Sequence, residues 1–181
     1  MRFPRIDQSE WSDAQRRVAA EIMSGPRGEL RGPFVPLIHS PELASHIQQL
    51  GAYLRFHTGI GDDVLEIAIL HVARHHDCPN IWESHRRLAL KAGVASDIIG
   101  AIARRERPRD LTPDRDLVVS ICVELLGSNA LGDRTFELAV ARWGRKGVMD
   151  LAGLLGYYGM LAVVLNVSKP PLEPGSVPFE V

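Results

Sequence analysis

The sequence predicts an all-α protein, built as a single-domain orthogonal bundle of about seven or eight helices. Signals that start and stop helices recur along the chain, with prolines just after N-cap residues and glycines just after helix ends. No alternation of apolar and polar residues extends beyond a few positions, so no strand is expected. The 181 residues are enough to bury one hydrophobic core.

Eight segments are expected to be helical, with boundaries taken from capping residues and apolar spacing. Ser40-Pro41 and Thr112-Pro113 each combine an N-cap with a proline in the first helical position. Gly93 and Gly127 are expected to end the helices before them. The predicted helices cover residues 12–23, 40–57, 62–76, 79–92, 96–104, 113–128, 133–143 and 147–167.

Two segments are rich in proline and glycine and are not expected to be helical. Residues 25–36 read as an ordered loop or a linker, and residues 169–181, which contain four prolines, as an extended tail. These segments divide one compact domain into an N-terminal helix and loop, a helical core, and C-terminal helices with a tail. The three parts span residues 1–39, 40–128 and 129–181.

The composition excludes several classes of protein. Apolar residues make up 45% of the chain and charged residues 24%, which is typical of a soluble globular protein and not of a disordered one. A net charge of -1 gives no general attraction to phosphates, so no nucleic-acid partner is expected. Two cysteines and a start without a secretory signal favour a reducing compartment, and we expect a cytoplasmic location.

Residues 151–167 are 17 consecutive residues without a charge. That length is at the lower limit for a membrane span, and the stretch contains three glycines, two tyrosines and Asn166. We expect a buried helix whose glycines admit a close neighbour, with a tail anchor as the alternative. No membrane partner is therefore expected.

The predicted helix over 62–76 contains a carboxylate in apolar surroundings. Glu66 lies within a stretch from Val64 to Ala73 that is apolar almost all the way round, which is typical of a buried helix. Desolvation there favours the protonated acid. Glu66 is therefore either a tuned acid or base, or a structural acid paired with a buried arginine or histidine.

The next predicted helix places a histidine on its inward face. All seven histidines lie between His39 and His85, and His85 is the last of them. Histidine is the most useful proton carrier near neutral pH, although an inward histidine is often only a core residue. The positions that share its face at helical spacing are Cys78, Ile81, Trp82, His85, Leu88 and Ala89.

These two helices resemble the carboxymuconolactone decarboxylase family, including its alkylhydroperoxidase D-like branch. The resemblance covers roughly residues 40–125, and it implies the alkylhydroperoxidase D-like fold. Flanking similarities include Arg74, Trp82, Gly156-Tyr157-Tyr158, Leu165-Asn166 and the segment GPFVPLIHSPELA. The central motif is carried by Glu66, Cys78, Ile81, His85, Ala92-Gly93 and Ser96-Asp97.

One departure from the family pattern bears on the chemistry. In the peroxidase branch, the cysteine nearer the histidine attacks peroxide, and this chain has Ile81 at that position. Isoleucine supplies no thiolate, so the two-cysteine cycle is not expected. An alkylhydroperoxidase or peroxiredoxin-like redox protein that uses Cys78 alone is retained as an alternative.

The decarboxylase branch needs no thiol, and the resemblance to it implies acid–base proton transfer on a small carboxylated lactone or a related intermediate of aromatic catabolism. Glu66 and His85 are the candidate proton carriers, and Arg74 is a candidate clamp for a substrate carboxylate. The other candidate substrate-binding residues are Trp82, Phe34, His39, Tyr157 and Tyr158.

Further alternatives concern ligands and assembly. His71 and His75 are one helical turn apart, and the run His75-His76-Asp77-Cys78 is rich in possible ligands, but a metal site needs a third ligand and a second shell, and the HExxH motif is absent. Histidines that complement a helix end are the simpler interpretation, so no metal is expected, and no other cofactor is expected either. The basic run at residues 104–109 is interpreted as a solvated surface. The resemblance implies a homo-oligomer (a dimer, trimer or hexamer) acting on a small molecule, and a non-catalytic ligand-binding oligomer of the same fold is the remaining alternative.

Overall fold

A computed structural model of the protein describes residues 2–25, 28–172, 176 and 178–179. These residues contain one short 3-10 helix, Gln8–Glu10, and eight α-helices. The α-helices are α1 (Asp13–Ser24), α2 (Phe34–Leu37), α3 (Pro41–Phe56), α4 (Asp62–His75), α5 (Pro79–Lys91), α6 (Ser96–Ala103), α7 (Pro113–Ser128) and α8 (Asp133–Ser168).

The all-α class predicted from the sequence is confirmed, and the described residues contain no strand. One detail of the prediction is wrong. The segment 25–36 was expected to lack helix, yet α2 begins at Phe34. The break expected between the helices over 133–143 and 147–167 is present at Gly144, whose φ of 69° and ψ of 172° are not helical, and α8 joins the two helices across this kink. Residues 26–27 of the predicted loop and most of the predicted tail lie outside the described residues.

The capping signals differ in how well they located the helix ends. The Thr112 side chain accepts a hydrogen bond from the backbone of Arg115, whereas Ser40 precedes α3 without a side-chain capping bond. Gly93 follows α5 with a φ of +81°, a conformation that suits glycine. Gly127 does not end α7, which continues to Ser128.

Helix α4 lies at the centre of the bundle and packs against α5, α6, α7 and α8. Its apolar residues face neighbours on nearly every side, and Ile67, Ile69 and Leu70 are completely buried. Truncation of such side chains to alanine costs about 2–5 kcal/mol, because a cavity remains. Close packing on nearly every side of α4 therefore fixes the positions of the polar residues that this helix carries.

Helix α8 is partly buried, as expected for its uncharged stretch. It is the one described helix that is long and apolar enough to cross a membrane, by length and composition alone, and 56% of its most apolar window is buried within the bundle. Its opposite side is exposed, with Met149 64%, Val163 54% and Val167 50% accessible. One side of α8 thus belongs to the core and the other has no cover within the described chain.

Helices α3 and α8 are joined at two polar points. The Tyr53 hydroxyl donates to Asp150 at 2.9 Å, and Arg55 donates to the Tyr158 hydroxyl at 3.1 Å. Between these points, a Cβ added to Gly153 would lie 3.5 Å from the Leu54 side chain. The glycine therefore allows the two helices to approach closely.

Candidate functional site

Glu66 is a buried carboxylate on the first half of α4, with only 4% of its side chain exposed. Its Oε1 accepts a hydrogen bond from Arg55 of α3 at 3.0 Å. Its Oε2 lies 2.6 Å from Nδ1 of His85 on α5. The sequence left open whether Glu66 is a tuned acid or base, or the partner of a buried arginine or histidine. In the structure, both an arginine and a histidine contact its carboxylate.

His85 lies on the inward face of α5, as its spacing predicted. About 9% of its side chain is exposed, and its ring meets the ring of Tyr158 edge-on at a centroid distance of 5.0 Å. With Arg55 bonded to its other oxygen, a carboxylate at Glu66 accepts a hydrogen bond from Nδ1 of His85. Such a contact orients the imidazole ring and selects its tautomer.

Arg55 was not identified from the sequence, although it is the arginine that contacts Glu66. It follows the buried Gly51 of α3 by one helical turn and lies at the edge of that buried face. Its place at the edge of a buried helix face is the only feature of the sequence that could have identified Arg55. We call the four residues Arg55, Glu66, His85 and Tyr158 the Glu66 network; they come from α3, α4, α5 and α8.

Charges in the Glu66 network are balanced. Burial alone would lower the pKa of Arg55, but the neighbouring Tyr158 and Glu66 outweigh it and raise that pKa above the usual arginine value. Burial raises the pKa of Tyr158 far above its usual value, so the phenol stays neutral. The network therefore holds one fixed cation next to a carboxylate, an imidazole and a neutral hydroxyl.

Cys78 lies at the N-cap of α5, in a different environment. Its side chain is completely buried, and burial raises the pKa of its thiol despite backbone hydrogen bonds from Ile81 and Asn80. A raised pKa reduces the thiolate fraction, and the thiolate is the nucleophile toward peroxide. Ile81, at the position of the attacking cysteine, is also buried.

Arg74 is engaged at the far end of α4, eight residues after Glu66 and so about 12 Å along the helix axis. Its Nε donates to the Ala103 carbonyl at 2.6 Å, and its guanidinium also contacts Asp77. It lies over the Phe179 ring at 4.6 Å. The structure therefore places this candidate clamp in contacts of its own and not in the Glu66 network.

The other candidate substrate-binding residues fall into two groups. Tyr157 packs edge-on against Tyr158 at 5.2 Å and so borders the Glu66 network. Trp82 and Phe34 are buried in the hydrophobic core, and Trp82 faces the ring of Phe179 at 5.6 Å. His39 is exposed, and its Nε2 lies 3.0 Å from the Pro4 carbonyl.

No group of three or more potential metal-ligating side chains occurs within the residues that the structure describes. In that part of the chain, Nε2 of His71 has no hydrogen-bond partner. Burial, with a smaller contribution from Arg107, lowers the pKa of His71 to about 4. Two surface grooves lie elsewhere, one along residues 97–110 and one along residues 133–145.

In comparisons with known proteins, no family model, curated protein or solved structure matches the chain. The similarity to the carboxymuconolactone decarboxylase family therefore stays a prediction. Any assignment of function depends on the chemistry of the site itself.

Proposed function

We propose that the protein is a carboxymuconolactone decarboxylase-like enzyme that transfers a proton to a small carboxylated lactone or a related intermediate of aromatic catabolism. The observation that carries this proposal is the buried 2.6 Å contact between Glu66 Oε2 and His85 Nδ1. A histidine backed by a carboxylate is suited to general acid–base catalysis near neutral pH.

In the proposed reaction, the bond between the substrate carboxylate and its carbon breaks and carbon dioxide leaves. The electron pair of that bond passes into the conjugated lactone as an enolate. Protonated His85 then delivers a proton to carbon, and solvent restores it. Glu66 accepts a hydrogen bond from Nδ1 and stabilises the imidazolium. The carbon gains one proton in place of the carbon dioxide that leaves, so the step balances without an oxidant or a reductant.

A peroxidase that uses Cys78 receives less support. The buried thiol with its raised pKa and the isoleucine at position 81 both oppose attack on peroxide.

A non-catalytic ligand-binding oligomer remains the other class, and it differs from the enzyme in showing no turnover that depends on His85. We also propose a reducing, cytoplasmic location, the compartment in which unpaired cysteines such as Cys78 and Cys122 are usual.

The direct test is the rate of carbon dioxide release from γ-carboxymuconolactone by the wild type, Glu66→Gln and His85→Ala. We expect wild-type turnover and a loss of roughly 10²–10⁴-fold in His85→Ala, the usual contribution of a general acid. Glu66→Gln should also lose activity, because an amide can present its NH₂ group to Nδ1 and favour the wrong tautomer.

Matched controls are Glu83→Gln and His75→Gln, which change a glutamate and a histidine outside the Glu66 network. Both should retain wild-type turnover. Full activity in His85→Ala would remove the proposed site, and no activity in the wild type would remove this substrate.

We also propose that the protein is a homo-oligomer that buries the exposed side of α8. Exposed apolar or small residues recur there at spacings of seven, seven and four, which keeps them on one side of the helix and forms a seam for a second helix. The positions are Met149, Gly156, Val163 and Val167. A Cβ on Gly156 would meet no atom within 4 Å, so this surface is open to a second copy.

Light scattering in detergent-free buffer tests this assembly. We expect a mass that is a multiple of the 20.0 kDa chain for the wild type and a shift toward monomer for Val163→Asp. Glu137→Lys, which changes charge away from the seam, should not alter the mass. A monomeric wild type, or recovery only in membranes, would contradict the proposal.

A further inference from the structure

We propose that Trp82 and Arg74 form a binding site for a small aromatic carboxylate, and that Phe179 of the same chain occupies this site as a displaceable plug. Neither Trp82 nor Arg74 belongs to the Glu66 network, so the inference goes beyond the proposed function and does not rest on it. It begins from Phe179, which follows the end of α8 and packs back against the hydrophobic core.

Phe179 makes two contacts of the kind by which proteins recognise an aromatic ring. Its ring lies 5.6 Å from the ring of Trp82 on α5, with 56° between the two planes. The guanidinium of Arg74 lies 4.6 Å from the centroid of the Phe179 ring. Ring–ring and cation–π contacts favour any aromatic group at this position. The place that Phe179 fills therefore suits the ring of a ligand.

Trp82 has a buried hydrogen-bond donor that Phe179 leaves without an acceptor. The Trp82 side chain is completely buried, and its Nε1 has no hydrogen-bond partner in the described ranges. A donor in this state is unfavourable, because the hydrogen bond that it made to water is not replaced. A phenylalanine side chain has no oxygen to offer. A ligand ring that bears an oxygen can fill the same place and also accept from this N–H.

Arg74 supplies a positive charge next to the ring. Its Nε and Nη1 donate to the Ala103 carbonyl and to Asp77, and its Nη2 has no hydrogen-bond partner within the part of the chain that is described. Asp77 also accepts from Arg105 through both carboxylate oxygens. Two arginines thus share one aspartate, so one positive charge stays uncompensated. A ligand carboxylate can bind Nη2 of a guanidinium that is already fixed in place.

Phe179 is held in a backbone conformation that favours its release. Its φ of +61° lies in the left-handed region, which is unfavourable for a bulky side chain. Strain of this kind persists only while surrounding contacts compensate for it, and such residues cluster at ligand clamps. Binding of a ligand in place of Phe179 therefore relieves the strain of the residue that it displaces.

The test uses 3-phenylpropanoate, which joins a benzyl group like that of phenylalanine to a carboxylate. In isothermal titration calorimetry of the full chain, Phe179→Ala should bind this probe roughly tenfold more tightly than the wild type, because the ring of the chain no longer competes. Phe136→Ala removes a partly exposed phenylalanine of α8 and should bind as the wild type does. Equal affinities of Phe179→Ala and the wild type, or no binding by either, would overturn the inference.

A second substitution keeps this comparison decisive if Phe179→Ala does not fold. Phe179→Leu retains an apolar side chain against the core but removes the ring. It should also bind the probe more tightly than the wild type, by a smaller factor. Wild-type affinity in folded Phe179→Leu would then count against the plug.

The charge of the probe isolates the role of Arg74. The neutral 3-phenylpropanamide retains the ring and an acceptor, and it should bind Phe179→Ala roughly tenfold more weakly than the carboxylate does. Adding Arg74→Gln should abolish this preference, whereas adding Arg115→Gln, which changes another partly buried arginine, should preserve it. Equal binding of the two probes to Phe179→Ala would contradict an anion site.

The indole N–H signal of Trp82 locates the bound probe. In ¹H–¹⁵N spectra, this signal is the one that persists in both Trp11→Phe and Trp143→Phe, since the chain has three tryptophans. It should move downfield as the probe saturates the wild type, because Nε1 gains an acceptor. An unchanged Trp82 signal would place the probe elsewhere and overturn the inference. None of these measurements needs turnover, so failure of the decarboxylation assay would not be mistaken for failure here.

Discussion

The polar groups on the two halves of α4 differ in whether they have hydrogen-bond partners inside the protein. In the first half, Glu66 is buried and receives partners from α3 and α5. In the second half, His71 has a buried Nε2 that lacks a partner within the described chain, and Arg74 forms its ion pair with Asp77 near the surface. Both halves lie in the same helix and contact the same core.

The comparison shows that the partners of a buried group determine its state as much as burial does. A buried charge is costly unless it is paired and hydrogen-bonded. Glu66 satisfies that condition through Arg55 and His85. His71 does not, and its lowered pKa shows that the folded protein keeps it neutral.

The largest expected effect comes from breaking the buried pair of the first half. Arg55→Met should lower the free energy of unfolding by about 3–5 kcal/mol, because it leaves a buried carboxylate without its cation. Just beyond the second half, Arg105→Met removes an exposed contact to Asp77, which is also the partner of Arg74, and the expected loss is about 0–1 kcal/mol. Urea denaturation of both variants measures the two losses, and equal values would show that the two ion pairs do not differ in the expected way.

A smaller effect should follow from acid, through His71. Its pKa is lowered to about 4 in the folded chain, against about 6.5 when unfolded, so the unfolded state binds the proton more tightly. The contribution of neutral His71 to the free energy of unfolding is therefore fully present above the pKa of His71 in the unfolded chain. It is lost as the pH falls toward the pKa of His71 in the folded chain, and the total loss is up to about 3 kcal/mol.

His71→Leu should flatten this pH dependence between neutral pH and the onset of carboxylate protonation. Thermal unfolding across that range measures it, with His75→Gln, an exposed histidine on the same helix, as the control. A slope in His71→Leu equal to that of the wild type would assign the acid sensitivity to other groups.

Much of the fold could be predicted because the signals for it are local. Thr112 followed by Pro113 fixes a helix start within a few residues, and the 3-4 apolar spacing around His85 fixes its inward face. The break at Gly144 lies in the gap between the helices predicted over 133–143 and 147–167, although helix resumes directly after it. The loop prediction missed the single helical turn at Phe34, because two prolines and a glycine surround it.

The site was predictable only in part. Glu66 and His85 lie on consecutive helices, so their meeting follows from a simple helical hairpin. Arg55 and Tyr158 reach them from distant parts of the chain, and their contacts depend on how α3 and α8 cross α4. Arg74 was favoured as a clamp because arginine suits carboxylates, but Asp77 and the Ala103 carbonyl take its donors.

The two polar links between α3 and α8 have a consequence for how the protein opens. Tyr53 with Asp150 and Arg55 with Tyr158 fix the register of the two helices at neighbouring points. A slide by one helical turn would break both links at once and drive Leu54 away from Gly153. We therefore expect local opening of α3 to accompany opening of α8, so that the amide protons of the two helices, which are far apart in the chain, exchange together.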